Sequence, residues 1–148
     1  MPPSAASPPP SGATGDTGAE PSETGATGDA AVRAFRRAED LVERRRPLEA
    51  LQALAPLLRD DQVAASVHLL AARAYLASAQ FRRAEEGFLR VLELDPADHY
   101  ARFALGRTLQ RQSRLVEARA QLRMAAAMDP RPDYRDALSE VSATIALR

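Results

Sequence analysis

Two histidines, His68 and His99, and no cysteine are available for chemistry in this chain of 148 residues. The absence of cysteine removes disulfides, thiolate metal sites and thiol nucleophiles together. The histidines stand 31 positions apart, and neither belongs to an HExxH or HxH pattern. The ligand spacing that marks a zinc site is therefore missing. His68 reads as a packed or partly exposed histidine, and His99, at a helix start, as a solvated one. The acidic neighbours Asp60-Asp61 and Glu85-Glu86 read as solvated charges on outer faces rather than as a general acid/base pair. No glycine-rich phosphate loop occurs, and no nucleophile, base and orienting group share a pattern. The residues argue against an enzyme. No cofactor and no metal is expected.

The chemistry that remains is recognition by arginine. All 20 basic residues are Arg, against 20 acids. Residues 1–29 contain Asp16, Glu20, Glu23 and Asp29 and no Arg, which leaves the rest of the chain with 20 Arg against 16 acids, a formal +4. Neutrality overall thus hides a mildly basic domain behind an acidic leader. That excess, interleaved with acids, is too small to argue for nucleic acid. No apolar run reaches the roughly 18 residues of a membrane span, so no membrane partner is expected. Arg without Lys, together with abundant Ala, points to a GC-rich coding sequence and a bacterial source. The first ten residues have no basic region followed by an apolar one, so a secretory signal is not expected and a cytoplasmic location is.

The elements that must carry these arginines begin near residue 30. Residues 1–29 are almost wholly Pro, Ser, Gly, Ala and Thr, and "GATGD" occurs there twice, at 12–16 and 25–29. Such a segment cannot bury enough apolar surface to offset the entropy of ordering it, so it reads as a disordered tail. From residue 31 onward apolar residues recur at helical spacing, without strand alternation.

The helices repeat. "LELDP" closes at Pro96 and "AAMDP" at Pro130, 34 residues later. Five columns follow the same interval. Ala38, Ala72 and Gly106 form one, and Ala50, Ala84 and Ala118 another. Leu41, Tyr75 and Leu109 form a third, Leu54, Phe88 and Leu122 a fourth, and Leu57, Val91 and Ala125 a fifth. The small columns let two helices approach closely and the large ones fill the space between them. Pro ends each unit because it cannot continue a helix and biases its predecessor away from one. First helices are expected near 31–45, 64–78 and 98–112, and second helices near 47–59, 81–94 and 115–128. Pro47 suits a first turn. Pro56 should kink or shorten its helix. In residues 133–148, Tyr134, Leu138, Val141 and Ile145 share one face, with Arg135, Ser139, Glu140 and Ser142 opposite.

This pattern resembles the tetratricopeptide repeat (TPR) family, a 34-residue helix-turn-helix unit with W-x2-L-G-x2-Y, A-x3-F and a closing Pro. "LGRTL" at 105–109 with "ARAQL" at 118–122, and "AARAY" at 71–75 with "AEEGF" at 84–88, carry the resemblance. "AEDL" at 38–41 with "ALQAL" at 50–54 is a weaker first unit, with Gln62 where Pro is expected. Ala34, His68 and Arg102 stand where the family places a large aromatic. The resemblance implies an all-α, right-handed superhelical array of three hairpins, about 31–64, 65–98 and 99–132. A capping helix at about 133–147 completes the 30–148 domain, behind the 1–29 tail.

The resemblance also implies a concave groove lined by the first helices. Its positions fall on Phe35, Glu39 and Val42, then Ser66, Leu69, Arg73 and Leu76, then Tyr100, Phe103, Arg107, Gln110 and Arg111. Phe35, Leu69, Tyr100 and Phe103 would be apolar anchors beside a basic stripe of Arg73, Arg107 and Arg111. Arg and aromatic side chains favour interface hot spots, and Arg pairs with carboxylates bidentately. A protein or peptide partner that is both acidic and apolar would suit. The expected function is a non-enzymatic interaction module. A self-assembling subunit is the alternative, so homo-oligomers stay open, and an RNA-binding repeat is a weaker one. The family's clamp for chaperone C-terminal carboxylates would fall on Phe35, Glu39, Leu70, Tyr100 and Ala104. None of these matches its Lys/Asn/Asn/Lys/Arg set.

Overall fold

The computed structural model describes residues 3–7, 9–12, 23–60 and 62–148. Helices α1 (Glu23–Glu43), α2 (Pro47–Leu58), α3 (Ala65–Ala77), α4 (Phe81–Leu94), α5 (His99–Arg111), α6 (Leu115–Met128) and α7 (Pro132–Ala146) follow in order. There is no strand among the described residues. Each helix packs on its neighbour in sequence, and α1, α3 and α5 also touch across the hairpins. The result is an all-α helical repeat array.

The expected columns form the core. Ala38, Ala72, Ala50, Ala84, Ala118, Leu54, Phe88 and Leu122 are fully buried. Tyr75 and Leu57 are the partly exposed members of their columns. A Cβ built on Gly106 would lie 2.7 Å from Leu122 Cγ and 3.3 Å from the Ala118 carbonyl oxygen. Glycine is what lets α5 and α6 approach that closely. Two core clusters result. One joins α1, α2 and α3, the other runs from α3 to α7, and Tyr75 packs against both.

The turn inside each hairpin repeats the period as well. Arg45, Ala79 and Ser113 have φ of 60°, 61° and 62°, the left-handed region. The next amide reaches back over each helix end: Arg46 N–H to Leu41 O, Gln80 N–H to Tyr75 O and Arg114 N–H to Leu109 O, at 2.8, 2.8 and 3.0 Å. These bonds satisfy carbonyls the helix leaves unpaired. Glycine usually occupies such a position, but here Arg, Ala and Ser do, at a steric cost of about 1–2 kcal/mol each.

Two boundaries differ from expectation. Helix α1 starts at Glu23 rather than near 31, so residues 23–29 of the segment expected to be unstructured are helical. Residues 27–30 are exposed and add nothing to the core. Extending a helix from a packed nucleus costs far less than starting one. Residues 13–22 of that segment lie outside the described residues, as does Asp61. Helix α2 continues through Pro56 and ends at Leu58, two residues short of the ends of α4 and α6 in the repeat register. Pro56 removes one backbone donor near the end of its helix, which shortens it.

Helix α7 turns Tyr134, Ala137 and Val141 inward and leaves Arg135, Asp136, Ser139 and Glu140 exposed. One apolar and one polar face is what the last element of a stacked array requires. Among the described residues no helix is long and apolar enough to cross a membrane.

Candidate functional site

The first helices of the hairpins, α1, α3 and α5, carry the residues expected to line a groove. Phe35 and Glu39 of α1 share one pocket of about 380 Å³ with Val32, Leu57, Ser66 and Val67. Arg73 and Leu76 of α3, with Val42, Tyr100 and Arg111, line a second pocket of about 380 Å³. Leu69 is half-buried, packs against the larger core cluster and lines neither pocket.

One expected anchor, Phe103, and one member of the expected basic stripe, Arg107, are engaged by α7. The Phe103 ring stacks on Tyr134, with centroids 4.6 Å apart and planes 19° apart. Arg107 donates to Glu140 at 3.1 Å and to Gln110 at 2.8 Å, while Gln110 donates to the other Glu140 oxygen at 2.9 Å. The hydrogen bonds from Gln110 and Arg107 hold the Glu140 carboxyl below its usual range. Phe103 and Arg107 therefore fix the capping helix, and the free part of the basic stripe is Arg73 and Arg111. Arg111 lies over the Phe81 ring at 5.1 Å and has no carboxylate partner among the described residues.

The histidines divide. His68 is half-buried, in line with the expectation, and burial, then the nearby Arg90 charge, lowers its pKa. It lines a cleft of about 340 Å³ with Leu58, Tyr75 and Gly87. That cleft lies where the family would place a large aromatic in the second unit. Arg102 fills the same place in the third. It reaches Gln121 Oε1 and the Pro96 carbonyl at 3.4 Å, while its Nε is buried without a partner among the described residues. His99 is not simply solvated. Its Nδ1 lies 2.9 Å from the Tyr134 hydroxyl and its Nε2 3.4 Å from Asp129 Oδ2. Chain reversal at Pro130 brings Tyr134 back over the start of α5, a contact that local spacing could not reveal.

Glu85 also departs from the outer-face expectation. Its side chain is 18% exposed, accepts from Arg114 at 2.8 Å and from Gln112 at 3.0 Å, and so ties α4 to the α5–α6 turn. Arg114 pairs with Glu117 as well. Asp60 accepts the Gln62 N–H, an Asx turn rather than a paired acid. Sequence reasoning placed Leu57 only in the core, yet it also lines the Phe35 pocket. Its register at the end of α2, beside the first turn of α3, carries that information. Among the described residues no three His, Cys, Asp or Glu side chains lie together as a metal site would need.

The chaperone-clamp positions can now be judged by burial. Leu70 and Ala104 are each 3% exposed and offer no donor to a carboxylate. Their alkyl groups pack between hairpins instead.

The sequence model of the tetratricopeptide repeat family matches residues 88–120. No curated protein matches the chain in sequence. Solved structures do resemble it. The second TPR domain of the human RPAP3 protein, in complex with the HSP70 peptide SGPTIEEVD, is 18% identical with a TM-score of 0.71. The match covers 78% of this chain and 97% of that one. The first TPR of Spaghetti (RPAP3), bound to the HSP90 peptide SRMEEVD, is 17% identical with a TM-score of 0.74, over 80% and 94% of the two chains. The first TPR domain of human RPAP3 is 17% identical with a TM-score of 0.73, over 79% and 93%. The chain therefore has the fold of a TPR domain.

Proposed function

We propose that residues 30–148 form a bacterial, cytoplasmic TPR interaction domain, without catalytic activity, whose concave face binds a peptide or partner segment. The observation that carries this reading is the joint placement of Phe35, Val42, Arg73, Leu76, Tyr100 and Arg111 in two pockets along the first helices. The fold shared with domains whose structures hold short peptides supports it. The manner of binding differs from the family's clamp for a C-terminal carboxylate. Leu70 and Ala104 replace its polar side chains, and Glu39 would repel a carboxylate at its place. The partner is instead held by apolar anchors and by Arg73 and Arg111.

Partner capture from the native host tests this. Wild type is compared with a protein carrying Arg73→Glu and Arg111→Glu, leaving the Arg107–Glu140 contact intact. The control carries two charge reversals outside the groove, Arg82→Glu and Arg123→Glu. The groove variant should lose the partner and the control should keep it. Equal recovery by both would sink the groove assignment.

A further inference from the structure

The two pockets of the concave face differ in chemistry. In the first, Ala31, Val32, Phe35, Leu57 and Val67 make up most of the lining, and Arg36, Glu39 and Ser66 complete it. In the second, Arg73 and Arg111 line the recess together with Val42, Leu76 and Tyr100, and no carboxylate lines it. Arg73 has no hydrogen bond or ion pair among the described residues, and Arg111 has only the Phe81 ring. Arg107, by contrast, is already neutralised by Glu140. An apolar recess and an unpaired basic recess thus lie side by side on one face.

Their separation follows from helix geometry. Phe35 and Val42 are seven residues apart on α1, and Ser66 and Arg73 are seven apart on α3. At ~1.5 Å rise per residue both intervals are about 10 Å. An extended chain covers that distance in roughly three residues at ~3.3 Å each. A helical occupant would need seven residues and room for a cylinder ~10–12 Å across. Each pocket, at about 380 Å³, has room for a large side chain.

Resting on the peptide-binding reading above, we infer that the groove selects an extended segment bearing a large apolar residue and a carboxylate three or four positions apart. The apolar side chain enters beside Phe35, and the carboxylate sits between Arg73 and Arg111. The arginine pair accounts for the acidic requirement, since an amide carries no negative charge and offers one acceptor oxygen where a carboxylate offers two.

Selection of a random dodecapeptide phage library on the immobilised full-length chain tests this. Enriched sequences should pair an apolar residue with Asp or Glu at a spacing of three or four. A fluorescein-labelled consensus peptide should lose about tenfold or more in affinity when its acid is changed to the amide. The double variant Arg73→Gln, Arg111→Gln should bind the acidic peptide as weakly as wild type binds the amide, and should bind the amide within about twofold of wild type. Replacing the peptide's apolar residue by Ala should weaken binding to both proteins alike, a readout independent of how any Phe35 variant folds. A spacing of seven, enrichment without an acid, or indifference to the amide change would overturn the inference and leave groove binding of peptides standing. Absence of any enriched sequence overturns the inference too. If partner capture also survives reversal of the groove charges, the peptide-binding reading falls with it.

Discussion

The first hairpin, α1 with α2, and the third, α5 with α6, follow the same columns but are held by different contacts. The first is secured locally. Its ion pairs, Arg44–Asp40 and Arg46–Glu49, lie within one helical turn and are largely exposed. Such pairs contribute little to stability. Its second helix has no side-chain cap, and it contains Pro56. The third is secured across units. Asp98 caps α5 by accepting the Ala101 N–H at 2.9 Å. Arg114–Glu85 ties it to the second hairpin, Arg107–Glu140 and the Phe103–Tyr134 stack tie it to α7, and Gly106 draws α6 close. In a stacked array stability is a sum of unit and interface terms. A shared period therefore sets the fold of each unit without setting its strength. Amide exchange should find α1 and α2 opening before α5 and α6. Uniform protection across both hairpins would erase the comparison.

Substitutions in the shared columns should break it most. Gly106→Ala places a methyl within 3 Å of the fully buried Leu122 side chain, and the cost should be about 1–3 kcal/mol in urea melts. The reverse change in the same column of the first hairpin, Ala38→Gly, should cost roughly 2 kcal/mol, the helix-propensity difference plus the loss of one fully buried methyl. A neutral Gly106→Ala would mean that the α5–α6 approach is not limiting. Ala79→Gly relieves the left-handed turn of the second hairpin and should gain about 0.5–1 kcal/mol after the entropy of glycine is counted. A loss there would show that the Ala79 methyl packs usefully.

Two smaller effects depend on pH. The folded state lowers the Glu140 pKa from 4.5, so its contribution is fully present above that value and disappears as pH falls through the lower folded value. Glu140→Gln should therefore lower the Tm at pH 7 and converge with wild type in acid. His68 has its pKa lowered from 6.5, which means the folded state disfavours its charged form. Stability from this group is complete above 6.5 and declines as pH falls towards the folded value. His68→Phe should remove that slope between neutral and mildly acidic pH while filling part of the adjacent cleft. If the slope persists in the variant, another group carries it.

What could be read from the sequence was what repeats locally. The 34-residue columns, the turns at Pro96 and Pro130 and the helix limits depend on side-chain size and backbone chemistry within one unit. The contacts that modify the groove do not. Phe103 meets Tyr134 and Arg107 meets Glu140 only because α7 folds back over α5. Glu85 finds Arg114 across 29 residues, with no signal in its own helix. His99 reads as a surface residue until Asp129 and Tyr134 are brought to it. The helical residues 23–29 show the opposite failure. Their composition argues against burial, and residues 27–29 are exposed, yet the segment is helical because α1 is already nucleated behind it.

The central claim is that recognition belongs to the first helices and not to the outer face. Amide chemical-shift mapping of the library-selected peptide on the full-length chain tests it most directly. The account predicts the largest shifts at Phe35, Val42, Arg73, Leu76, Tyr100 and Arg111, with little change along α4 and α6. Shifts concentrated on α4 and α6, with the two pockets silent, would contradict it.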